Sequence, residues 1–172
     1  MRWLLGLLLF SSAAMSAPNV VTLLADENNQ DPIKTMRQIE RSEPGVISSF
    51  SVNLNKKKLQ YIYTLVNLRN GTVTHFEYRG TDGHLLKRYI STLVPKEHSE
   101  LEAVRFIEKN KLLFSKLVDL AIDKSQVHLL KAELDHDLGI SYLELELIDD
   151  NGPYRLAFDV ETLRPLPLLR WY

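Results

Sequence analysis

Apolar and polar residues alternate most strictly between Tyr142 and Leu168, where Leu143, Leu145 and Leu147 are interleaved with Glu144 and Glu146. A period of two puts the leucines on one face of a strand, toward a core, and the glutamates on the other, toward water. Asp150-Asn151-Gly152 then turns the chain into Tyr154, Leu156, Phe158 and Val160. Pro165 and Pro167 follow and blunt whatever edge comes next. A looser copy of this plan runs from Leu59 to Leu86. Leu59, Tyr61, Tyr63 and Leu65 share one face, and Ile62, Val66 and Leu68 share the other, which predicts a strand covered on both sides. Asn70-Gly71 turns it into Thr72 to Tyr78, and Gly80-Thr81-Asp82-Gly83 turns it again into His84 to Ile90. Upstream, Phe50, Val52 and Leu54 alternate with Ser49, Ser51 and Asn53, and the polar stretch Asn55 to Lys58 is a turn.

Helical spacing precedes each set of strands. Asp31-Pro32 reads as an N-cap followed by proline at the first helical position. Ile33, Met36 and Ile39 form the apolar stripe, and Glu43-Pro44-Gly45 ends the helix. Val94-Pro95-Lys96 marks a boundary, after which Ser99-x-x-Glu102 has the form of a capping box. Leu101, Val104, Ile107, Phe114, Leu117 and Ala121 continue a stripe that Glu108 to Lys111 interrupts. Leu117 to Ile122 fits either helix or strand. Val20 to Leu24 reads as a short strand, Val127 to Leu134 and Ile140 to Ile148 as longer ones, with Asp135-His136-Asp137 as a polar turn between the last two. The pattern therefore predicts an α+β fold of two packed helix-plus-three-stranded antiparallel meander units, residues 31–92 and 97–170.

The first residues have a different character. Arg2 precedes the apolar run Trp3 to Phe10, which is too short to span a bilayer as a helix, and small residues follow with Ala14 and Ser16 at minus three and minus one of a cut after Ser16. Residues 1–16 read as a signal peptide, with a retained membrane anchor as the competing reading. The predicted location is periplasmic or secreted, without stable membrane insertion after cleavage. The 172-residue chain has no cysteine, which excludes disulfides, thiol catalysis and a lipidated cysteine. Its formal net charge of -1 argues against nucleic acid as a partner.

Chemistry-bearing patterns are sparse. His75, His84, His98, His128 and His136 never fall at metal-ligand spacing on a helix or strand, and no phosphate loop or nucleophile motif occurs. Glu144 and Glu146 sit on a wet strand face, and Lys56-Lys57-Lys58 on a turn. The expectation is no catalytic residue, no metal and no cofactor. Asn70-Gly71-Thr72 has the form of a glycosylation sequon but serves better as a turn. Tyr61 and Tyr63 share a strand face, with Phe76 and Tyr78 opposite across the Asn-Gly hairpin; the favoured reading is internal packing against the second unit, and if they are left uncovered they form the candidate partner-binding surface.

The capped helix, the meander, the stretch YLELELIDDNGPYRLAFD and the closing Asp159-Val160-Glu161-Thr162 resemble the PepSY domain. Leu163 stands where that family commonly has glycine, and Thr81-Asp82-Gly83 looks like a degenerate counterpart in the first unit. The resemblance covers Leu101 to Leu168 and, more weakly, Ile33 to Leu86. It implies an exported protein that acts by binding, as an inhibitor or folding aid of a peptidase or another envelope protein. A second resemblance, carried by Thr74 to Arg79 and the Asp-Gly turn after it, is to periplasmic lipoprotein-carrier and stress-sensor half-barrels. It implies a carrier or sensor of an apolar ligand.

Overall fold

The computed structural model describes residues 20–56, 58–94, 98–122 and 127–167. The predicted signal segment, the Pro95-Lys96 boundary and the terminal Trp171-Tyr172 lie outside the described residues, as does the side chain of Ser99 in the predicted capping box. The chain forms α1 (Val20–Leu24), α2 (Pro32–Ser42), β1 (Val46–Asn55), β2 (Lys58–Asn67), β3 (Thr72–Arg79) and β4 (Leu85–Thr92). It continues with α3 (His98–Lys109), α4 (Phe114–Ile122), β5 (His128–Asp137), β6 (Ile140–Asp149), β7 (Gly152–Asp159) and β8 (Arg164–Leu166).

All eight strands belong to one antiparallel sheet, in the order β4-β3-β2-β1-β5-β6-β7-β8. This corrects the expectation of two helix-plus-three-stranded units. Each half supplies a four-stranded meander to one shared sheet, and β1 and β5 pair at its centre. β4 is the segment that the Gly80 to Gly83 turn leads into, and it makes a fourth strand in the first half although it is exposed at every position. β8 escaped the pattern because it is three residues long with Pro165 inside it. Val20–Leu24 is helix rather than strand, and Leu117 to Ile122 belongs to a helix.

Local chemistry explains the boundaries. The Asp31 side chain accepts the Ile33 backbone N–H at 2.9 Å, which starts α2 at the proline. Gly45 carries the chain from α2 into β1 with φ at +137°, where a Cβ would lie 2.6 Å from the Val66 carbonyl oxygen, so no other residue fits. The predicted turn at Asp135-His136-Asp137 is displaced. β5 runs through Asp137, and Leu138 and Gly139, at φ +50° and +79°, form a two-residue hairpin loop. Asp159 closes the last meander by accepting the N–H groups of Glu161 (2.8 Å) and Thr162 (3.0 Å). Leu163 follows at φ +56°, a left-handed conformation that glycine adopts without strain.

Strand register assigns the faces. Tyr63, Phe76 and Arg88 lie in line with Phe50 on one side of the seam, and Ala132, Leu145 and Leu156 on the other. This is the helix-covered face, and Phe50, Tyr63, Phe76, Leu143 and Leu145 on it are buried with Met36, Ile39, Val104, Ile107 and Leu117 of the helices. The other face carries Ser49, Ser51, Thr64, His75 and Tyr89 in the first half, and Lys131, Glu133, Glu144, Glu146 and Arg155 in the second.

The seam is short. β1 and β5 pair only through Ser49↔Glu133, Phe50↔Ala132 and Ser51↔Lys131. Next to the seam β1 carries a bulge at Ser48 in its pairing with β2, and the Ser48 hydroxyl is buried without a partner among the described residues. α3 packs chiefly on β5 and reaches β1 and β6. Above the sheet, α2 and α4 lie side by side. Glu40 accepts the backbone N–H of Ser115 (3.0 Å) and its hydroxyl (2.5 Å), supplying from the first half the N-terminal cap that α4 lacks in its own chain segment. Arg37 and Asp119 also meet at 3.1 Å, but both side chains are more than 40% exposed (44% and 47%). A pair of that kind contributes roughly 0–1 kcal/mol, so the partly buried Glu40 contact dominates the link.

Replacing Glu40 with alanine is expected to destabilise the protein by about 1–2 kcal/mol, read as a lower urea midpoint, because two donors at the start of α4 lose their acceptor. Burial raises the Asp159 carboxyl, but the N–H groups of Thr162 and Glu161 and the Thr162 hydroxyl outweigh it and hold the group below its ordinary value. A depressed carboxyl stabilises the fold above its unfolded pKa of 3.8 and loses that contribution as pH falls through the lower folded value. Asp159→Asn is therefore expected to flatten the decline in urea midpoint below about pH 4, and an unchanged decline would refute the assignment.

Candidate partner-binding surface

The four aromatics predicted as a surface lie mostly inside. Tyr61, Tyr63 and Phe76 are 2%, 0% and 2% exposed, and Tyr78 is half-buried. Tyr63 packs between Phe50 (5.1 Å between ring centres) and Tyr78 (5.7 Å, edge to face), and its hydroxyl donates to the Pro32 carbonyl at 3.2 Å. Burial pushes the Tyr63 phenol well above its ordinary value. The cluster sits on the helix-covered face, so alternation alone could not say whether helices or a partner cover it.

A run of exposed aromatic and apolar residues lies one strand further out, while others, Leu138 and Tyr154 among them, are scattered over the surface. β4 is an edge strand, paired with β3 on one side and with no described strand on the other. Leu85 (40%), Leu86 (40%), Tyr89 (48%) and Ile90 (55%) along it are exposed, with Val94 (61%) just beyond. Leu93 donates its N–H to the Gly71 carbonyl at 2.9 Å, which sets the phase of the ladder. In antiparallel pairing the bonding alternates, so Tyr89 and Ser91 bond to β3, while the N–H and C=O groups of Arg88, Ile90 and Thr92 point off the sheet.

Beside this edge, on the face away from the core, the His75 ring stacks on Tyr89 at 4.6 Å, and the Lys87 ammonium lies 4.9 Å from the Tyr89 ring centre. His75 Nδ1 is 3.4 Å from the Thr64 hydroxyl oxygen. Burial lowers the His75 pKa and so favours its neutral form. The strip continues into a half-open groove of about 220 Å³, walled by Val66, Val73, Leu93, Val94 and Leu101. On the core side of β4, Arg88 reaches Glu43 at 3.1 Å and stacks over Phe76.

The remaining polar clusters are structural. His136 lies in β5 and its Nδ1 is 2.9 Å from the Ser141 hydroxyl oxygen. Arg155 bridges Glu146 (2.6 Å) and Glu144 (3.4 Å), and Lys131 pairs with Glu133 on the same wet face. Among the described residues no cluster of histidine and carboxylate groups has the arrangement of a metal site, and no helix is long and apolar enough to cross a membrane.

No known protein family and no curated protein matches the chain. Among solved structures, the chain is similar to a lipoprotein candidate from Clostridium difficile 630 at 11% identity and a TM-score of 0.42. The match covers 78% of this chain and 88% of that one, and at this TM-score it carries no functional argument.

A histidine whose folded pKa is depressed leaves the unfolded chain binding more protons. Its contribution to stability is complete above the unfolded pKa of 6.5 and declines as pH falls through it toward the folded value. His75→Gln is expected to reduce the loss of urea midpoint between pH 7.5 and 5.5. Equal losses in both proteins would show that His75 titrates as it does in the unfolded chain.

Proposed function

We propose that the protein is an exported, non-catalytic binding protein that takes up an extended segment of another envelope or secreted protein as an additional strand beside β4. The observation that carries this reading is the contrast between the two edges of the sheet. β8 is three residues long and blunted by Pro165, whereas β4 offers eight residues without proline and leaves the backbone groups of Arg88, Ile90 and Thr92 unpaired by the sheet. Main-chain bonds along such an edge supply affinity, and the exposed apolar residues Leu85, Leu86, Tyr89 and Ile90 with the adjacent groove supply selectivity. Export rests on the pattern of residues 1–16, and the PepSY resemblance adds a peptidase as one class of partner to modulate. A carrier of apolar ligands is less well supported, because the helix-covered face is filled with side chains. Two surface hollows among the described residues, of about 220 and 290 Å³, fall below the volumes usual for drug-sized ligands.

The test places a photo-crosslinking side chain at Thr92 and compares it with and without Ile90→Pro. The Ile90 N–H points away from β3, so proline there removes an outward donor and leaves the urea midpoint unchanged. The expected result is a crosslink to a second protein in the cell envelope that falls at least about tenfold with the proline. No adduct, an adduct only with another copy of the same chain, or one indifferent to the proline would sink the reading.

A further inference from the structure

The formal net charge of -1 conceals an uneven distribution of charge over the fold. α2 and α4 lie side by side in the helix layer. α2 turns Thr35, Met36 and Ile39 to the core, and α4 turns Phe114, Ser115, Leu117 and Val118. The helical period therefore points Lys34, Arg37, Gln38 and Arg41 outward from α2, and all are exposed. From α4 it points Lys116, Asp119 and Leu120 outward, with Leu113 exposed just before the first turn. Asp119 is the one carboxylate among these outward residues, and Arg37 pairs with it at 3.1 Å. Glu40, between the two helices, is committed to the N–H and hydroxyl of Ser115. Lys34, Arg41 and Lys116 are left without a counter-ion among the described residues.

Elsewhere the balance is different. The outward residues of α3 are Glu102, Arg105, Glu108 and Lys109, and their charges cancel. The open face of the sheet in the second half sets Glu133, Asp135, Glu144 and Glu146 against Lys131 and Arg155. The helix side is thus cationic at α2 and α4, while the sheet side has an excess of carboxylates. An independent observation is apolar. Leu113 and Leu120 stand 52% and 41% exposed among these cations. None of the outward residues of α2 and α4 lines either surface hollow, so the face offers no recess to seat a protein segment.

We infer that the outer face of α2 and α4 rests on an anionic lipid surface. Lys34, Arg41 and Lys116 lie at the level of the phosphate groups, and Leu113 and Leu120 enter the shallow apolar boundary beneath them. Cations attract the face to anionic headgroups, and exposed leucines beside them gain from leaving water. The contact is peripheral, because no helix among the described residues is long and apolar enough to cross a membrane. It uses no residue of β4 and is independent of strand addition there.

The chain has no cysteine, so a single introduced one can carry an environment-sensitive dye. The dye is placed at Gln38→Cys on the helix face and, in a second protein, at Lys131→Cys on the open sheet face. Each protein is mixed with vesicles of phosphatidylcholine, alone or with phosphatidylglycerol at about three to one. A blue shift is expected at position 38 with the anionic vesicles only, and none at position 131. Each cation near such a surface contributes roughly fivefold in affinity, so Lys34→Gln, Arg41→Gln and Lys116→Gln together are expected to weaken binding about a hundredfold. Raising salt from about 50 to 500 mM is expected to weaken it at least about tenfold, which tests the charge without altering the sequence. Equal shifts with both vesicles, as attachment through residues 1–16 alone gives, would overturn the inference. So would a shift at position 131 instead of 38, or an affinity indifferent to salt and to the three substitutions. A shift at position 38 with polyglutamate and none with anionic vesicles would also overturn it, and would give the face to an acidic protein.

Discussion

The architecture depends on a narrow join. Two four-stranded meanders become one sheet through three residue pairs between β1 and β5, beside the bulge that β1 makes at Ser48 against β2. Backbone pairing over so short a stretch cannot fix the halves by itself, since each hydrogen bond contributes only about 1 kcal/mol net. Side chains around the join do the rest. Phe50 and Ala132 face each other on the core side, and Ala132 is small enough to let α3 pack close on β5. Glu40 then ties α2 to the start of α4 on the layer above. The core of buried residues runs without a break from Met36 and Phe50 across to Leu143 and Phe158, which is why neither meander needs a complete core of its own.

That continuity also determined which parts of the fold could be foreseen. Strands with one face on the helices and one in water announce themselves, as Leu143, Leu145 and Leu147 against Glu144 and Glu146 do. The α2 start was equally legible, because Asp31-Pro32 is a local solution to unpaired helix donors that no distant contact can override. The number of strands per half was only partly legible. β4 is exposed throughout and was marked by the turn before it rather than by alternation, and β8 is a proline-bearing stub that no pattern marks. The central pairing was hidden as well, since nothing in the residues of β1 or β5 states which strand lies alongside.

The aromatic cluster shows a different limit. Tyr61, Tyr63, Phe76 and Tyr78 were grouped correctly by the hairpin register, yet a group of aromatics on one strand face fits an interface and an interior equally well. What decided between them was the position of the helices, which lies outside the strand pattern. The hydroxyls carry the remaining information. Tyr63 donates to Pro32, whereas the hydroxyl of Tyr61, two residues earlier on the same face, bonds to no described residue. His136 gives the converse lesson. A polar triplet read as a turn, but Leu138-Gly139 adopts the positive φ angles that a two-residue loop requires, and the histidine is drawn into the strand and satisfied by Ser141.

The charge on β4 bears on what such an edge would accept. An open strand with leucines and isoleucine is a hazard, because it can pair with another copy of itself. Lys87 and Arg88 stand near the middle of β4, so antiparallel pairing of two copies about this point brings four cations together, of which only Arg88 has a local counter-ion in Glu43. Like charges placed opposite each other across a pair of strands are destabilising. An extended segment from a different protein with acidic or neutral residues at those positions meets no such penalty and still gains the apolar contacts of Leu86 and Ile90. On the proposed reading, the two basic residues do not close the edge. They bias it against the chain's own strand and leave it open to a foreign one.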